Sequence, residues 1–180
     1  MVDSSLRDMT SFPAEPRGEA RGEPRDEPRG EQLARLDVAH RVFFRLYQCA
    51  NLMHKVGARF IEDFNSTTQQ WAVLGALARP DPKQRGMTVK DLIAFLLVSR
   101  QNLTPVLDRL EKRGWIERVK DADDARSRRV VLTAAGNEVW TEMQVAISVF
   151  YAEALDDFSL DEEVSLYRLL DKLKSSLNAL

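Results

Sequence analysis

The segment that begins at Ser99 carries side chains suited to reading base pairs. If it folds as a helix, Leu103, Val106, Leu107 and Leu110 fall on one apolar face. The outward face then carries Arg100, Gln101, Asn102, Thr104, Pro105 and Arg109. Arginine can bind guanine, glutamine and asparagine can bind adenine, and threonine or proline can meet the thymine methyl group. These residue types predict contacts with base edges in a major groove of DNA, and an ordinary solvated helix face is the alternative.

A second group of cations lies in a predicted β-hairpin. Strands are predicted for 115–120 and 128–132, which are rich in Val, Ile and Trp, with an Asp-rich loop between them. Arg126 in this loop can enter a minor groove, whose negative potential attracts arginine, and Asp124 can orient it. A surface hairpin of mixed charge is the alternative, but both features together favour DNA. The other cations of the hairpin are Arg118, Lys120, Arg128 and Arg129.

The elements that must position these side chains follow from apolar spacing and helix caps. Thr67 and Gln70 form a capping-box pattern, and two prolines in 79–82 predict a loop. Thr88 is the predicted cap of the helix 88–97, which precedes the helix that begins at Ser99. Thr88 is also included among the residues predicted to contact DNA. Two short helices followed by a hairpin predict a winged helix-turn-helix, mainly α with a small β-hairpin. The predicted helices are 33–63, 67–78, 88–97, 99–113, 133–158 and one that begins at Ser159.

The N-terminal stretch differs in amino-acid composition from the rest of the chain. Residues 13–31 repeat Pro, Arg, Gly and Glu and contain no apolar side chain larger than alanine. Such a segment buries too little apolar surface to offset the entropy of ordering, so 1–31 is predicted to be disordered. The predicted domain is 32–180, with a DNA-binding core at 66–133 and dimerisation helices at 33–63 and 134–180.

Composition excludes several classes of protein. The chain has 180 residues, about one domain. Its longest apolar run, Ile93–Val98, is far shorter than the roughly 20 residues of a membrane-spanning helix, and no secretory signal is visible. One cysteine and two histidines argue against disulfides and structural zinc, which indicates the cytoplasm. Without a phosphate-binding glycine loop, metal-ligand spacing or an activated nucleophile, no enzyme activity and no cofactor are predicted.

Charge is unevenly distributed. The formal net charge is only -2, yet 33–98 carries nine cations against five anions and 99–133 carries nine against six. The last segment, 134–180, carries three against nine. A basic middle between acidic ends indicates an anionic partner that touches only the middle.

Five runs of sequence together resemble the MarR family of bacterial transcriptional regulators. The runs are MTVKDL at 87–92, VSRQNLT at 98–104, LDRLEKRGWIER at 107–118, DADDARS at 121–127 and LTAAG at 132–136. The run TQQWAVL at 68–74 resembles that family's second helix, and the resemblance covers about 33–180. It implies a homodimer joined through its first and last helices, a palindromic operator and repression as the usual mode. It also implies Arg126 as the wing-tip arginine braced by Asp124, although Ala125 stands where the family often has a second arginine.

The dimer has support from the residues themselves. The first predicted helix is about thirty residues, too long to bury its apolar face against one small domain. The last predicted helix carries a leucine stripe at similar spacing. Pairing these faces across a two-fold axis would bury both. The predicted dimerisation residues are Leu36, Leu166, Leu170, Leu173 and Leu177.

The resemblance also implies a small effector, often an aromatic acid or phenol, and suggests regulation of aromatic catabolism. His40, Phe44 and Tyr47 are spaced for one helix face. Together with Trp71 they are the candidate pocket, and core aromatics are the alternative. The cations that can pair with an effector carboxylate are Arg41 and Arg45.

Two alternatives to an effector-controlled regulator remain open. The first is an oxidant switch through Cys49; peroxide-sensing relatives carry their cysteine where this chain has Phe43, six residues earlier. Because the thiol is missing from that position, Cys49 is predicted to be a small buried apolar residue. The second is a winged helix that binds proteins and never touches DNA.

Overall fold

The computed structural model describes residues 27–121 and 127–180, which form seven helices and three strands. A single turn of 3-10 helix, Glu62–Phe64, follows the first helix. In chain order the elements are α1 (Glu27–Phe60), α2 (Thr68–Leu77), α3 (Pro80–Arg85), β1 (Met87–Thr88), α4 (Val89–Leu96), α5 (Arg100–Lys112), β2 (Ile116–Lys120), β3 (Arg128–Leu132), α6 (Ala134–Ala154) and α7 (Leu160–Asn178).

The predicted fold class is confirmed. The strands form one antiparallel sheet in the order β1-β3-β2, with Lys120 opposite Arg128 at one end of the β2–β3 ladder and Ile116 opposite Leu132 at the other. Helices α4 and α5 precede the hairpin, as a winged helix-turn-helix requires. Gly114 adopts a positive φ of 70° just after α5 and ends that helix.

Helix starts coincide with side-chain caps. Capping boxes join Thr67 to Gln70 at α2 and Thr88 to Asp91 at α4. A third joins Ser159 to Glu162 at α7. Each box satisfies two N–H groups that a helix start leaves without partners, which is why these boundaries were readable from sequence.

Several elements differ from the sequence predictions, and the end of α1 at Phe60 and the start of β2 at Ile116 differ by one to three residues. Helix α1 begins at Glu27, so 27–31 are helical rather than disordered; Pro28 stands in the first turn of the helix, where a missing N–H costs no hydrogen bond. The loop predicted at 79–82 is wrong, because α3 begins at Pro80 and prolines in a first turn lack only N–H groups that would be unpaired anyway. The two-residue β1 was not predicted, and α6 ends at Ala154 rather than Phe158.

One apolar core holds the winged helix together. It draws side chains from α2, α4, α5, α6, β2 and β3. The largest of these buried side chains include Leu74, Leu92, Leu107, Ile116 and Met143. Because α5 and the sheet share this core, the outward faces of both are fixed relative to each other.

The chain divides into two units between Leu46 and Tyr47. The winged helix belongs to the second unit, and the N-terminal part of α1 to the first. In the described ranges, no helix combines the length and the apolar character that crossing a membrane requires.

Candidate nucleic-acid interface

Helix α5 separates its apolar and polar side chains as the sequence predicted. Leu103, Val106, Leu107 and Leu110 are buried. The six residues predicted to read bases are all exposed: Arg100, Gln101, Asn102, Thr104, Pro105 and Arg109. Since the buried face locks the helix against the core, these six side chains are presented on a rigid element.

The start of α5 is built by short-range hydrogen bonds. The Ser99 hydroxyl accepts a hydrogen bond from the Asn102 N–H at 3.2 Å. The Thr104 hydroxyl donates to the Arg100 carbonyl at 2.9 Å. Pro105 has no N–H to donate to the Gln101 carbonyl, so this turn lacks one backbone hydrogen bond of the helix. The resulting helix start carries positive partial charge beside Arg100, which suits a phosphate.

Arg118 ties the wing to α5. Its Nη1 donates to Glu111 Oε2 at 2.6 Å and its Nη2 to Asp108 Oδ1 at 2.8 Å. Both bonds are charge-assisted, and a guanidinium holds its two acceptors in a fixed geometry. The sequence indicated Arg118 only as one more cation of the hairpin. We assign it a positioning role, because its guanidinium is occupied by two carboxylates.

Arg129 holds the base of the wing. Its Nε donates to Asp121 Oδ2 at 2.7 Å and its Nη1 to the Gly86 carbonyl at 3.3 Å. Asp121 is buried, and its N–H donates to the Ser127 carbonyl at 3.1 Å, which closes the loop at its root. These contacts join β1, β2 and β3 at one point. The predicted contact of Arg129 with DNA stays a prediction, but its wing-positioning role is visible directly.

Arg128 is the cation of β3 that remains exposed. It pairs in register with Lys120 on β2, which is also exposed. Neither side chain has an ion pair within 27–121 and 127–180. Asp124 and Arg126 lie outside the described residues, so their wing-tip contact stays a prediction.

Thr88 is half-buried and serves first as a cap. Its hydroxyl donates to Asp91 Oδ2 at 2.7 Å and accepts from the Asp91 N–H at 3.1 Å. This fixes the start of α4 next to β1. A phosphate contact by Thr88 stays a prediction.

Arg113 is a positioning residue that sequence reasoning missed. Its Nη1 and Nη2 donate to the carbonyls of Asn65 and Phe64 at 2.8 and 2.7 Å. Its guanidinium also lies 3.6 Å from the centre of a Trp115 ring. Burial lowers the pKa of Arg113 from its ordinary value, yet it stays protonated at neutral pH. It therefore connects the end of α5 to the turn after α1, a long-range contact that no local pattern predicts.

Comparisons with known proteins agree with this geometry. A profile of the MarR family matches residues 64–127, from the turn before α2 to the end of the wing loop. Transcriptional activatory protein BadR of Rhodopseudomonas palustris is 47% identical over 146 residues, which cover 78% of this chain and 83% of BadR. The chain belongs to the MarR family. It is a DNA-binding transcriptional regulator of the MarR type and not an enzyme, which confirms the resemblance noted in the sequence.

Solved structures share the MarR fold. A "probable transcriptional regulator" from Pseudomonas aeruginosa is 28% identical with a TM-score of 0.66, over 76% of this chain and 98% of that one. The S. aureus MepR–DNA complex is 23% identical with a TM-score of 0.67, over 74% of this chain and 94% of that one. At 23% identity, the similarity to MepR supports a shared fold and nothing more.

An open cavity of about 710 Å³ lies beside α5 in this MarR-type domain. Trp71 and Tyr151 line it, with ring centres 6.0 Å apart, and burial raises the pKa of the Tyr151 hydroxyl above its ordinary value. His54 also lines it, with Nδ1 2.7 Å from the Thr68 hydroxyl. The polar side chains that α5 contributes are Gln101, Asn102 and Arg109.

The predicted effector residues occupy different places. Trp71 lines the cavity beside α5. Tyr47 and Phe44 are exposed, with 67% and 61% of their surface accessible. His40 and Arg45 are also exposed, and Arg41 is exposed and paired with Asp37 at 2.8 Å. Except for Trp71, their role in effector binding rests on the sequence alone.

Cys49 is exposed on α1, which removes the expectation that it is a buried apolar residue. Among the described residues no group of His, Cys, Asp or Glu is arranged to hold a metal ion.

Proposed function

We propose that the protein is a homodimeric, sequence-specific DNA-binding regulator that recognises a palindromic operator and responds to a small aromatic acid. One observation carries the DNA-reading part: a helix with four buried apolar side chains presents all six predicted base-reading side chains to solvent. The hydrogen bonds of Arg118 hold the wing beside that helix, and those of Arg129 join the strands at the base of the wing. A rigid helix with a rigid wing is the arrangement that reads a major groove and an adjoining minor groove.

The dimer proposal rests on helix α7. This 19-residue helix has no buried residue, although Leu166 and Leu170 are only 39% and 42% exposed. In proteins most of the stability of a helix comes from packing its apolar face against a partner. The α7 helix of a second copy supplies such a partner, and the sequence adds Leu36 of α1 to the proposed interface between copies. The remaining residues of the proposed interface are Leu173 and Leu177.

The effector proposal places the aromatic acid in the cavity beside α5. Trp71 and Tyr151 offer aromatic faces, and Arg109 offers a cation for the carboxylate. A cavity of about 710 Å³ is within the ordinary range for small-molecule sites. Since Arg109 also belongs to the DNA-reading face, a ligand there changes the surface that DNA meets.

The direction of regulation is part of the proposal. The name of BadR describes activation, and we infer activation for this chain from that likeness. Repression, which the family resemblance implied, is the alternative. Transcription in vitro from a template carrying the operator distinguishes the two, because an activator raises the transcript level above that of polymerase alone and a repressor lowers it.

The experiment that tests the proposal begins with selection of binding sites from random duplexes. The recovered duplexes are expected to share an inverted repeat whose half-site centres lie about one helical turn, roughly 34 Å, apart. Binding measured by fluorescence anisotropy is expected to weaken steeply as salt rises. Recovery of no shared sequence and no salt-sensitive binding would favour a winged helix that binds proteins instead.

Gln101→Ala is expected to relax base preference. If Gln101 reads an adenine, the loss on the selected operator is about 1–3 kcal/mol per site, while affinity for random duplex stays nearly constant. Competition titrations with both duplexes measure the difference. Equal losses on the two duplexes would remove Gln101 from the base-reading set.

Ala72→Phe is expected to abolish the effector response without abolishing DNA binding. Ala72 is an exposed residue that lines the cavity, so a phenyl ring there occupies the proposed ligand volume. Operator binding by each variant is measured while the concentration of each aromatic acid in a panel is raised. Ala152→Phe adds the same ring at an exposed α6 position outside the cavity lining and is expected to respond like wild type. A ligand response that survives Ala72→Phe would place the effector elsewhere.

Oxidant control through Cys49 is the second candidate. The observation that favours it is the exposure of Cys49 on α1. Operator binding that is unchanged after peroxide treatment, in wild type and in Cys49→Ser alike, would eliminate it.

A further inference from the structure

A second open cavity, of about 1010 Å³, lies between α3 and the base of the wing. Its lining includes Arg79 and Arg85 at the two ends of the α3 region, Lys120 on β2 and Arg129 on β3. None of these except Arg129 belongs to the predicted DNA-contacting set. We propose that this surface, called here the flank surface, binds the phosphate backbone of duplex DNA outside the operator half-site.

Charge supports an anionic occupant. The carboxylates in the lining are Asp81, Asp91 and Asp121. Asp121 accepts the Nε bond of Arg129, and Asp91 is occupied by the cap of α4, so two of the three are already neutralised or hydrogen-bonded. Arg85 and Lys120 have no ion pair within the described ranges. The lining carries four cations against three carboxylates, a net charge of +1, and Arg85 and Lys120 are not paired with any of these carboxylates in the described ranges.

Position supports DNA over another polyanion. The lining includes Met87 and Asp91, which bracket the predicted contact Thr88 in sequence, and Lys120 pairs in register with the exposed Arg128. The flank surface is therefore continuous with the predicted DNA interface. A duplex seated on α5 and the wing extends past this edge, because the backbone continues beyond the bases that are read.

Rigidity supports a prepared site. Arg79 is held by stacking of its guanidinium 3.6 Å from the centre of the Phe95 ring. Its Nε also donates to the Ala76 carbonyl at 3.4 Å. The prolines at the start of α3 restrict the backbone that carries Arg85. Because its side chain is already held, Arg79 loses less side-chain entropy on meeting a phosphate than an unrestrained arginine would.

This inference rests on the proposed function, since it assumes operator binding. The test compares two duplexes: the selected operator cut at its edges, and the same operator extended by about 10 base pairs, one helical turn, on each side. The variant is Arg85→Gln/Lys120→Gln. Wild type is expected to bind the extended duplex more tightly, and the variant is expected to lose that gain while binding the short duplex like wild type.

The size of the effect follows from counterion release. Each phosphate contact contributes about −0.9 to the slope of log affinity against log salt, so each contact adds about an eightfold gain in affinity when salt falls from 1 M to 0.1 M. The variant is therefore expected to have a shallower slope on the extended duplex only. Hydroxyl-radical footprints are expected to shrink by the flanking protections. Arg168→Gln/Lys172→Gln removes the same two charges from exposed positions on α7 and is expected to behave like wild type on both duplexes.

Several outcomes would overturn the proposal. They are a wild-type protein that gains nothing from the flanks, a variant that matches wild type on the extended duplex, and equal losses on the short and extended duplexes. Unchanged DNA affinity with lost transcription in vitro would assign the flank surface to a protein partner. Failure of the wild type to bind even the short operator would instead reject the proposed function, so the two failures are distinguishable. Both substituted side chains are exposed, and an unchanged melting temperature verifies that the variant folds.

Discussion

Leu170→Lys is expected to convert the proposed dimer into folded monomers and to weaken operator binding by more than about 100-fold. Leu170 is 42% exposed on a helix with no buried residue, so the substitution costs the isolated chain little. In a two-fold interface the same change occurs twice. Two lost leucine burials amount to about 3 kcal/mol or more, which is over 100-fold in an equilibrium constant, and two unpaired charges add to it.

Sedimentation velocity over a range of concentrations measures the oligomeric state, and anisotropy measures operator binding. Ser175→Lys is the matched control, because Ser175 lies five residues further along α7 and, at about 100° per residue, faces away from the leucine stripe. It is expected to remain dimeric. A Leu170→Lys protein that sediments as a dimer would show that α7 does not form the interface, and equal effects of both lysines would point to a general loss of the helix.

The order of the elements was predictable because residues close in sequence, above all the helix caps, mark where the helices begin. Thr67, Thr88 and Ser159 each stand three residues before a partner that completes a capping box, and the structure contains all three boxes. Helix α3 was missed because proline was taken as a helix breaker, although in a first turn it removes no needed hydrogen bond. Strand β1 was missed because two residues carry no periodicity and their partner, β3, lies about forty residues away in the chain.

The residue types of the candidate site were also predictable, but the roles of its cations were not. Sequence alone cannot distinguish a cation that meets solvent from one already paired with a distant carboxylate. The structure separates them: Arg118 and Arg129 are bound to carboxylates of the same domain, whereas Arg100, Arg109 and Arg128 are exposed. Arg113 went unnoticed because its acceptors are backbone carbonyls, which no residue type reveals.

Positioning by internal contacts therefore matters as much as the reading face itself. The junction where α5, β2 and α6 meet shows this most clearly. The Thr133 N–H donates to the Trp115 carbonyl at 3.1 Å, and the Thr133 hydroxyl donates to the Gly114 carbonyl at 2.6 Å. The same hydroxyl accepts from the Gly136 N–H at 3.0 Å. Thr133 thus caps α6 and also fastens it to the backbone just before β2, at the end of the hairpin away from its loop.

Gly136→Ala is expected to disrupt that junction and lower the free energy of unfolding by about 3 kcal/mol. A Cβ at position 136 would overlap the Trp115 carbonyl oxygen and lie 2.8 Å from the carbonyl carbon. Backbone atoms cannot rotate away as a side chain can, so α6 must shift from the wing root. For a chain of this size the melting temperature is expected to fall by about 6–12 °C, measured at one protomer concentration.

Gly30→Ala is the control for the general effect of adding a methyl group to a helix. A Cβ at Gly30 meets nothing within 4 Å, so alanine there is expected to leave stability unchanged or slightly higher. An unaltered melting temperature for Gly136→Ala would mean that α6 can move away from the Trp115 backbone at no cost in stability. The close contact between α6 and the start of the hairpin would then not be what holds the wing in place. The expected drop would instead show that a buried glycine outside the predicted base-reading set determines how closely α6 packs against the backbone of Trp115, just before β2.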